Sequence, residues 1–366
     1  MSVTIVDASF RRVALPLREP ICTARTTLTA REVLIVRLVA DDGTLGFGEV
    51  SSFTTDWYLP EILDDDEALM PTLLEAVQNR EFNDPREVDA ALRRVDGAQD
   101  LPAARAGVEC AVWDIFARRA GMPLAHYLGF TGDKAAGGAV LPLADSDATL
   151  AAVCAAVEAG YQRIKVKIAS AQDIDKLEAI RQNFPDICLL ADANGALSEG
   201  DFDSIAHRLD AINCACIEEP ISRHPEEELV DFHVRLKKVQ ERVCTPLCLD
   251  ESWTNEQELR AALKIGAAGC YAVKICKLGG ISTTLDILDE AHQRGIAMWM
   301  GGMFDTGISK AAHAALSLHP ANAFAGDISD TSRYFTRDLC EPAFALHDGY
   351  LDLSRPGLGF YMAQAE

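Results

Sequence analysis

Two lysines set two residues apart open the chemistry of this chain. They stand in the run Arg163-Ile164-Lys165-Val166-Lys167-Ile168. Strand side chains alternate between faces, so Lys165 and Lys167 share one side of a strand, and Ile164, Val166 and Ile168 share the other. Alone, such a pair reads as a solvated strand face. Its meaning changes because polar and charged groups close later apolar runs at regular intervals: Asp192 and Asn194, Glu218 and Glu219, Asp250 and Glu251, then Lys274. One charged strand end is an ordinary rim, whereas five in order, three of them acidic, mark a site.

Asp192, Glu218 and Asp250 can supply three carboxylate oxygens from three successive strands. That donor set suits a hard divalent cation, Mg2+ above all, with the remaining coordination positions left to water or substrate. Neither Cys nor His stands at these strand ends, which disfavours zinc or copper there. Parity does not choose between Glu218, in phase with Cys216, and Glu219, in phase with Ile217; either acid could face inward. Lys167 and Lys274 would flank the cation. A lysine serves as a base near neutral pH only when its pKa is lowered, and Lys165 and Mg2+ are cations placed to do so. The α-carbon of a carboxylate is weakly acidic, and Mg2+ on the carboxylate stabilises the enediolate left when the proton departs.

Elements must bring these residues together. From about Gly138, short apolar runs alternate with amphipathic helices. The expected strands are Ala139–Leu143, Arg163–Ile168, Cys188–Asn194, Cys214–Pro220, Leu247–Glu251, Tyr271–Lys277, Ala297–Met303 and Ala323–Asp327. Helices are expected at Asp147–Ala159, Ala171–Asn183, Ser198–Leu209, Asn255–Ile265, Ser282–Arg294 and Ile308–Leu318. Eight strands alternating with helices is the pattern of an α/β fold, a (β/α)8 TIM-type barrel, whose active site forms where the C-terminal strand ends converge. No Gly-x-Gly-x-x-Gly follows a strand, so nothing supports a doubly wound dinucleotide fold. Before the barrel, strands at the start and at 31–40 and 44–49, joined by Asp41-Asp42-Gly43, precede helical spacing at 61–80, 85–95 and 103–120. The expected division is an α+β capping domain (1–130), a barrel (131–327) and a C-terminal segment (328–366) that folds back to complete the cap.

The chain has 366 residues, 49% of them hydrophobic, enough for a large core. A net charge of −22 argues against nucleic acid or an anionic membrane as partner, and leaves a small anionic substrate in need of a local cationic pocket. No targeting segment or spanning apolar run is evident. The eleven scattered cysteines suit free thiols in a reducing cytosol, so a cytoplasmic protein is expected. Cys214, Cys216, Cys244 and Cys248 lack the spacing of a zinc knuckle.

The motifs Lys165-x-Lys167, Asp192-x-Asn194, Ile217-Glu218-Glu219-Pro220, Leu249-Asp250-Glu251-Ser252 and Val273-Lys274-Ile275-Cys276-Lys277-Leu278-Gly279-Gly280 resemble, in order and spacing, those of the enolase superfamily, muconate-lactonizing subgroup. The likeness runs over essentially the whole chain. It sharpens towards N-succinylamino-acid racemases and o-succinylbenzoate synthases at Gly48-Glu49, Trp57-Tyr58, the run 301–307 and the run 326–335. The resemblance implies that Lys167 and Lys274 are the acid/base lysines and that Lys165 supports Lys167. It makes Asp192, Glu218 and Asp250 the Mg2+ ligands, and places Asn194, Glu219 and Glu251 around ligands or substrate. Mandelate-racemase-type members would need a His at the end of strand seven, and Trp299–Met303 contains none.

Departures from the family pattern fall on residues near the substrate. Asp305 stands where Glu is usual, Ala169-Ser170 where Pro-Gly is usual, and Gly195-Ala196-Leu197 where Ala-Tyr commonly follows. Arg25, in the capping loop, could clamp an anionic substrate arm with both guanidinium nitrogens. The implied activity is racemisation or epimerisation of an N-acylamino acid, with o-succinylbenzoate-type dehydration and dipeptide epimerisation as alternatives. A barrel kept only for binding would have lost a base or a ligand, yet all six positions are filled. Members of this family commonly associate, so a homo-oligomer is expected.

Overall fold

A computed structural model describes residues 2–22 and 26–363; Arg25 lies outside them. The chain opens with β1 (Val3–Cys22), β2 (Thr27–Ala40) and β3 (Leu45–Val50), an antiparallel meander, followed by α1 (Leu63–Glu75), β4 (Glu81–Phe82), α2 (Arg86–Leu92) and α3 (Pro102–Arg119). The sheet order is β3-β2-β1-β4. Gly43, at φ +86°, makes the β2–β3 turn that Asp-Asp-Gly signals.

Helix α3 is apolar around most of its circumference because it is buried on two sides. Ala106, Cys110, Trp113 and Ala117, spaced four, three and four apart, face the barrel core. Ala104, Val108, Ala111 and Ile115, with the same spacing, face the cap core. The approach to β3 is so close that a Cβ on Gly48 would sit 1.9 Å from the Gly107 carbonyl oxygen. Glu109 on this helix reaches across to the barrel and Asp114 to β3, so the cap is joined to the rest by buried polar contacts as well as by packing.

After α4 (Leu124–Tyr127) and β5 (Lys134–Ala136) come the barrel strands: β6 (Gly138–Leu141), β7 (Arg163–Lys167), β8 (Cys188–Asp192), β9 (Cys216–Glu218), β10 (Leu247–Leu249), β11 (Cys270–Val273) and β12 (Ala297–Met300). They pair in parallel and in sequence order. Outside them lie α5 (Ser146–Glu158), α6 (Ile174–Asn183), α7 (Glu199–Ile212), α8 (Leu229–Gln240), α9 (Glu256–Ile265), α10 (Ile275–Leu278), α11 (Ile281–Arg294) and α12 (Gly307–Leu316). Ile164, Val166, Leu189, Ala191, Ile217 and Leu249 pack outwards under these helices. Leu190, Cys216, Cys248, Ala272 and Trp299 form a separate cluster along the axis.

Two expectations need correction. The eighth run, 323–327, is not a regular strand. It closes the barrel as an extended segment: Ala323 and Asp327 donate to Met298 and Met300 carbonyls at 2.8 Å, and Gly138 donates to Ile328 at 3.0 Å. The Ala325 carbonyl is taken by Arg163 Nε at 2.9 Å instead of by a strand neighbour, which breaks the ladder. The run 271–277 is also not one strand, because the chain turns into α10 after Lys274.

The C-terminal part adds β13 (Cys340–Glu341), β14 (Tyr350–Asp352) and β15 (Tyr361–Met362). It returns to α3, where Leu358 N donates to Asp114 at 2.8 Å and Arg118 donates to the Phe360 carbonyl at 2.7 Å. Among the described residues the cysteines are free thiols, and no helix is long and apolar enough to cross a membrane.

Candidate active site

Interior positions recur every second residue along a strand. Leu190, Cys216, Cys248 and Ala272 lie on the axis, so Asp192, Glu218, Asp250 and Lys274, each two residues further on, form the next layer up, at the C-terminal mouth. This phase turns Glu218 inward. Glu219 follows at φ +40° and Asn194 at φ +43°, so the alternation ends where the strands end.

Lys165 is buried and donates to both Glu218 oxygens, at 3.1 and 2.9 Å, and to Asp327 Oδ2 at 3.3 Å; Asp192 Oδ2 is 3.6 Å away. Lys167, whose side chain is 34% exposed, donates to Asp192 Oδ2 at 2.9 Å and to Asn194 Oδ1. Asn194 in turn donates to Glu251 at 2.7 Å. On the other wall, Lys274 donates to Asp250 Oδ2 at 2.8 Å and to the Tyr58 hydroxyl. Tyr58, from the cap, donates to Asp250 Oδ1 at 2.8 Å. Lys277, fully buried on α10, donates to Asp250 Oδ1 at 3.1 Å and to its carbonyl at 2.8 Å.

Charge follows from these contacts. Burial disfavours the ammonium of Lys274, but Asp250 and Glu251 outweigh it and raise its pKa; Asp327, Glu218 and Asp192 do the same for Lys165. Burial also disfavours ionised Asp250, yet Lys274 and Lys277 hold it below the usual carboxylate range. Glu218 moves the other way, pushed well up by burial and by the neighbouring Asp192 and Asp250.

Oxygens of Glu218, Asp250 and Glu251 all lie within 4.8 Å of one another, and Glu251 Oε2 is buried with no hydrogen-bond partner among the described residues. Asp192 stands just outside this group because Lys167 and the Asn194 N–H, 3.0 Å from Oδ1, draw its oxygens aside. Three close carboxylates with a raised Glu218 and an unpartnered oxygen are what a hard divalent cation would relieve, so the residues fit one.

Glu219 faces away from this group. Its Oε1 accepts the N–H of Asp250 at 2.6 Å and of Ser252 at 2.8 Å, and its Oε2 accepts the Ser252 hydroxyl at 2.6 Å. Burial, with Glu251 next, pushes its carboxyl up to about 8. Asp305 is buried at the base of the loop before α12. It accepts the Met303 N–H at 2.9 Å and, among the described residues, hydrogen-bonds none of the mouth lysines. The structure thus gathers Lys165, Lys167, Lys274, Asp192, Asn194, Glu218, Asp250 and Glu251 at one mouth. Glu219 stands behind them and Asp305 apart.

Three residues of the mouth were not singled out from sequence: Tyr58, Lys277 and Asp327. Each lies within a motif quoted above, but its placement depends on the cap's approach, on a helix where a strand was expected, and on the irregular closing segment.

The chain matches the family model described as mandelate racemase / muconate lactonizing enzyme, N-terminal domain, over residues 5–129, and that described as enolase C-terminal domain-like over residues 148–366. It is 35% identical to the o-succinylbenzoate synthase of Bacillus subtilis, covering 99% of this chain and 95% of that protein. It is 33% identical to the N-succinylamino acid racemase of Thermus thermophilus, covering 98% and 95%. A crystal structure of an enolase-superfamily protein from Listeria innocua superposes with a TM-score of 0.89 at 30% identity, covering 98% of this chain and 95% of that one.

Proposed function

The chain is an enzyme of the enolase superfamily, belonging to its mandelate racemase / muconate lactonizing enzyme family, and on that premise we propose that it removes the α-proton of a small anionic carboxylate in a Mg2+-dependent reaction passing through an enediolate. The observation that carries this reading is the arrangement of two lysine-bearing walls around a carboxylate group. Lys167 is tied to Asp192 on one wall and Lys274 to Asp250 on the other, with Glu218 on the strand between.

Asp192, Glu218 and Asp250 would hold Mg2+, with Glu251 beside them. When bound, the ion supplies positive charge to the substrate carboxylate and to the enediolate oxygens. Lys165, pinned to Glu218, keeps a fixed cation in the same layer as the base. Lys167 is oriented by Asp192 and Asn194 and takes the α-proton from one face. In racemisation or epimerisation of an N-acylamino acid, Lys274 returns a proton to the opposite face.

A second reading is dehydration of a β-hydroxy carboxylate to o-succinylbenzoate. Lys167 then takes the α-proton and gives it to the departing β-hydroxyl, the C–O bond breaks, and water leaves. Lys274 remains charged and steadies the enediolate. The asymmetry of the walls favours this reading: Lys274 is buried and held by Tyr58 and Asp250, whereas Lys167 is partly open. The o-succinylbenzoate synthase relatives support it equally with the racemase.

Purified enzyme with Mg2+ is to be given N-succinyl and other N-acyl amino acids of each hand and, separately, the β-hydroxy precursor of o-succinylbenzoate. Loss of optical rotation in the first set supports racemisation, and new aromatic absorbance in the second supports dehydration. Neither response with any compound would overturn α-proton abstraction from these substrates.

A further inference from the structure

We propose that the barrel interior carries a second metal site, in which the sulfurs of Cys216, Cys248 and Cys270 hold one Cu(I) ion. The three residues lie on the adjacent strands β9, β10 and β11, with Cys248 directly opposite Cys270 in the register. All three are buried, and their sulfurs lie within 4.8 Å of one another. Sulfurs about 2.3 Å from a central ion in a plane stand about 4 Å apart, so small rotations about the Cα–Cβ bonds suffice to close the cage. The trio shares Cys216 and Cys248 with the four-cysteine grouping of the sequence, but Cys270 takes the place of Cys214 and of Cys244, which is exposed at the surface.

The surroundings select the ion. Leu190, Ala272 and Trp299 fill the rest of the layer, and no carboxylate or imidazole joins the three sulfurs among the described residues. Zinc asks for four ligands, whereas a soft monovalent ion accepts three thiolates. Trp299 Nε1 donates to Cys248 Sγ at 3.1 Å. The indole carries two cations on its face, Arg163 and Lys165, each 4.9 Å from the ring centroid. They strengthen the N–H as a donor to the sulfur. Arg163 Nη1 is itself buried without a hydrogen-bond partner among the described residues. Cys188 and Ala215 border the cluster and also line a surface cleft with Cys214 at the N-terminal ends of the strands.

Each thiol that coordinates gives its proton to solvent, so uptake releases protons. The test uses the full-length, reduced protein under anaerobic conditions, titrated with Cu(I) alone against a chromophoric Cu(I) chelator. The wild type is expected to withdraw one equivalent from the chelator, release protons and gain thermal stability. Cys248→Ala and Cys270→Ala should each weaken retention by at least roughly 100-fold, beyond the 10- to 100-fold of an outer contact. Cys154→Ser, an exposed thiol, should retain Cu(I) as the wild type does. Should the interior variants fail to fold, X-ray absorption of the loaded wild type decides, with three sulfur neighbours supporting the cage. Failure of the wild type to withdraw Cu(I), equal retention by the interior variants, or fewer than three sulfurs would overturn it.

Discussion

Glu219 Oε1 lies 2.6 Å from the main-chain nitrogen of Asp250. Two adjacent acids on one strand end thus do different work: Glu218 enters the mouth, while Glu219 braces the loop that presents Asp250. Replacing Glu219 with Gln puts an amide where the carboxyl stands and disturbs its three accepted bonds. Mg2+ affinity is expected to fall by roughly 10- to 100-fold with the fold intact. Calorimetric Mg2+ titration of the variant checks this, and an unchanged affinity would remove Glu219 from the support of the site.

Lys165 is the cation shared by Glu218, Asp327 and Asp192. Lys165→Met takes from Glu218 its cation, while Asp192 keeps Lys167 and Asp327 keeps Arg163, at a cost of roughly 3–5 kcal/mol. If the acids bind Mg2+, the ion should restore more stability to the variant than it adds to the wild type. Melting temperatures with and without Mg2+ read both effects. A variant as stable as the wild type in both conditions would contradict them.

Glu109 gives a pH signature away from the mouth. Burial pushes its carboxyl from 4.5 up to about 7, while it accepts N–H bonds from Ile281 and Ser282 at the start of α11. A carboxyl with a higher pKa folded than unfolded is held protonated by the fold. Its contribution is fully present below about pH 4.5 and is lost as pH rises through about 7. Wild-type stability should therefore fall across that window by up to roughly 3 kcal/mol from this group. Glu109→Gln should flatten the fall, as read by urea unfolding at pH 5 and pH 8. Parallel profiles for the two proteins would exclude Glu109 as the source.

Gly48 tests the seam between cap sheet and helix. A methyl group there would meet the Gly107 carbonyl at 1.9 Å. Gly48→Ala should cost about 3 kcal/mol by forcing β3 and α3 apart. A melting temperature within a degree of the wild type would show that the seam yields freely.

The barrel and its mouth were legible because the signals were periodic. Alternation placed Lys165 with Lys167, and strand-end position grouped Asp192, Asp250 and Lys274. What was not legible depended on places where periodicity stops. Parity could not separate Glu218 from Glu219, and the positive φ of Glu219 shows why a pattern of two fails beyond the strand. Lys277 was hidden because four residues wind into α10 inside an apolar run that reads as strand. Asp327 was hidden because Arg163, a side chain, takes the hydrogen bond that a regular eighth strand would have used. Tyr58 reaches Asp250 from 192 residues away, a contact that only the docking of the cap creates.

Exchange of the α-hydrogen for deuterium in D2O tests proton abstraction most directly, because it needs no product to form. With Mg2+ and an N-succinylamino acid or another carboxylate the enzyme turns over, the wild type should wash deuterium into Cα. Lys167→Ala should lose exchange from one hand of the substrate by roughly 10²- to 10⁴-fold, the usual worth of a positioned base. Racemisation predicts that Lys274→Ala loses exchange from the other hand. Dehydration predicts that Lys274→Ala slows exchange at the same face as Lys167→Ala. Exchange in Lys167→Ala at the wild-type rate would contradict the assignment of Lys167 as the base.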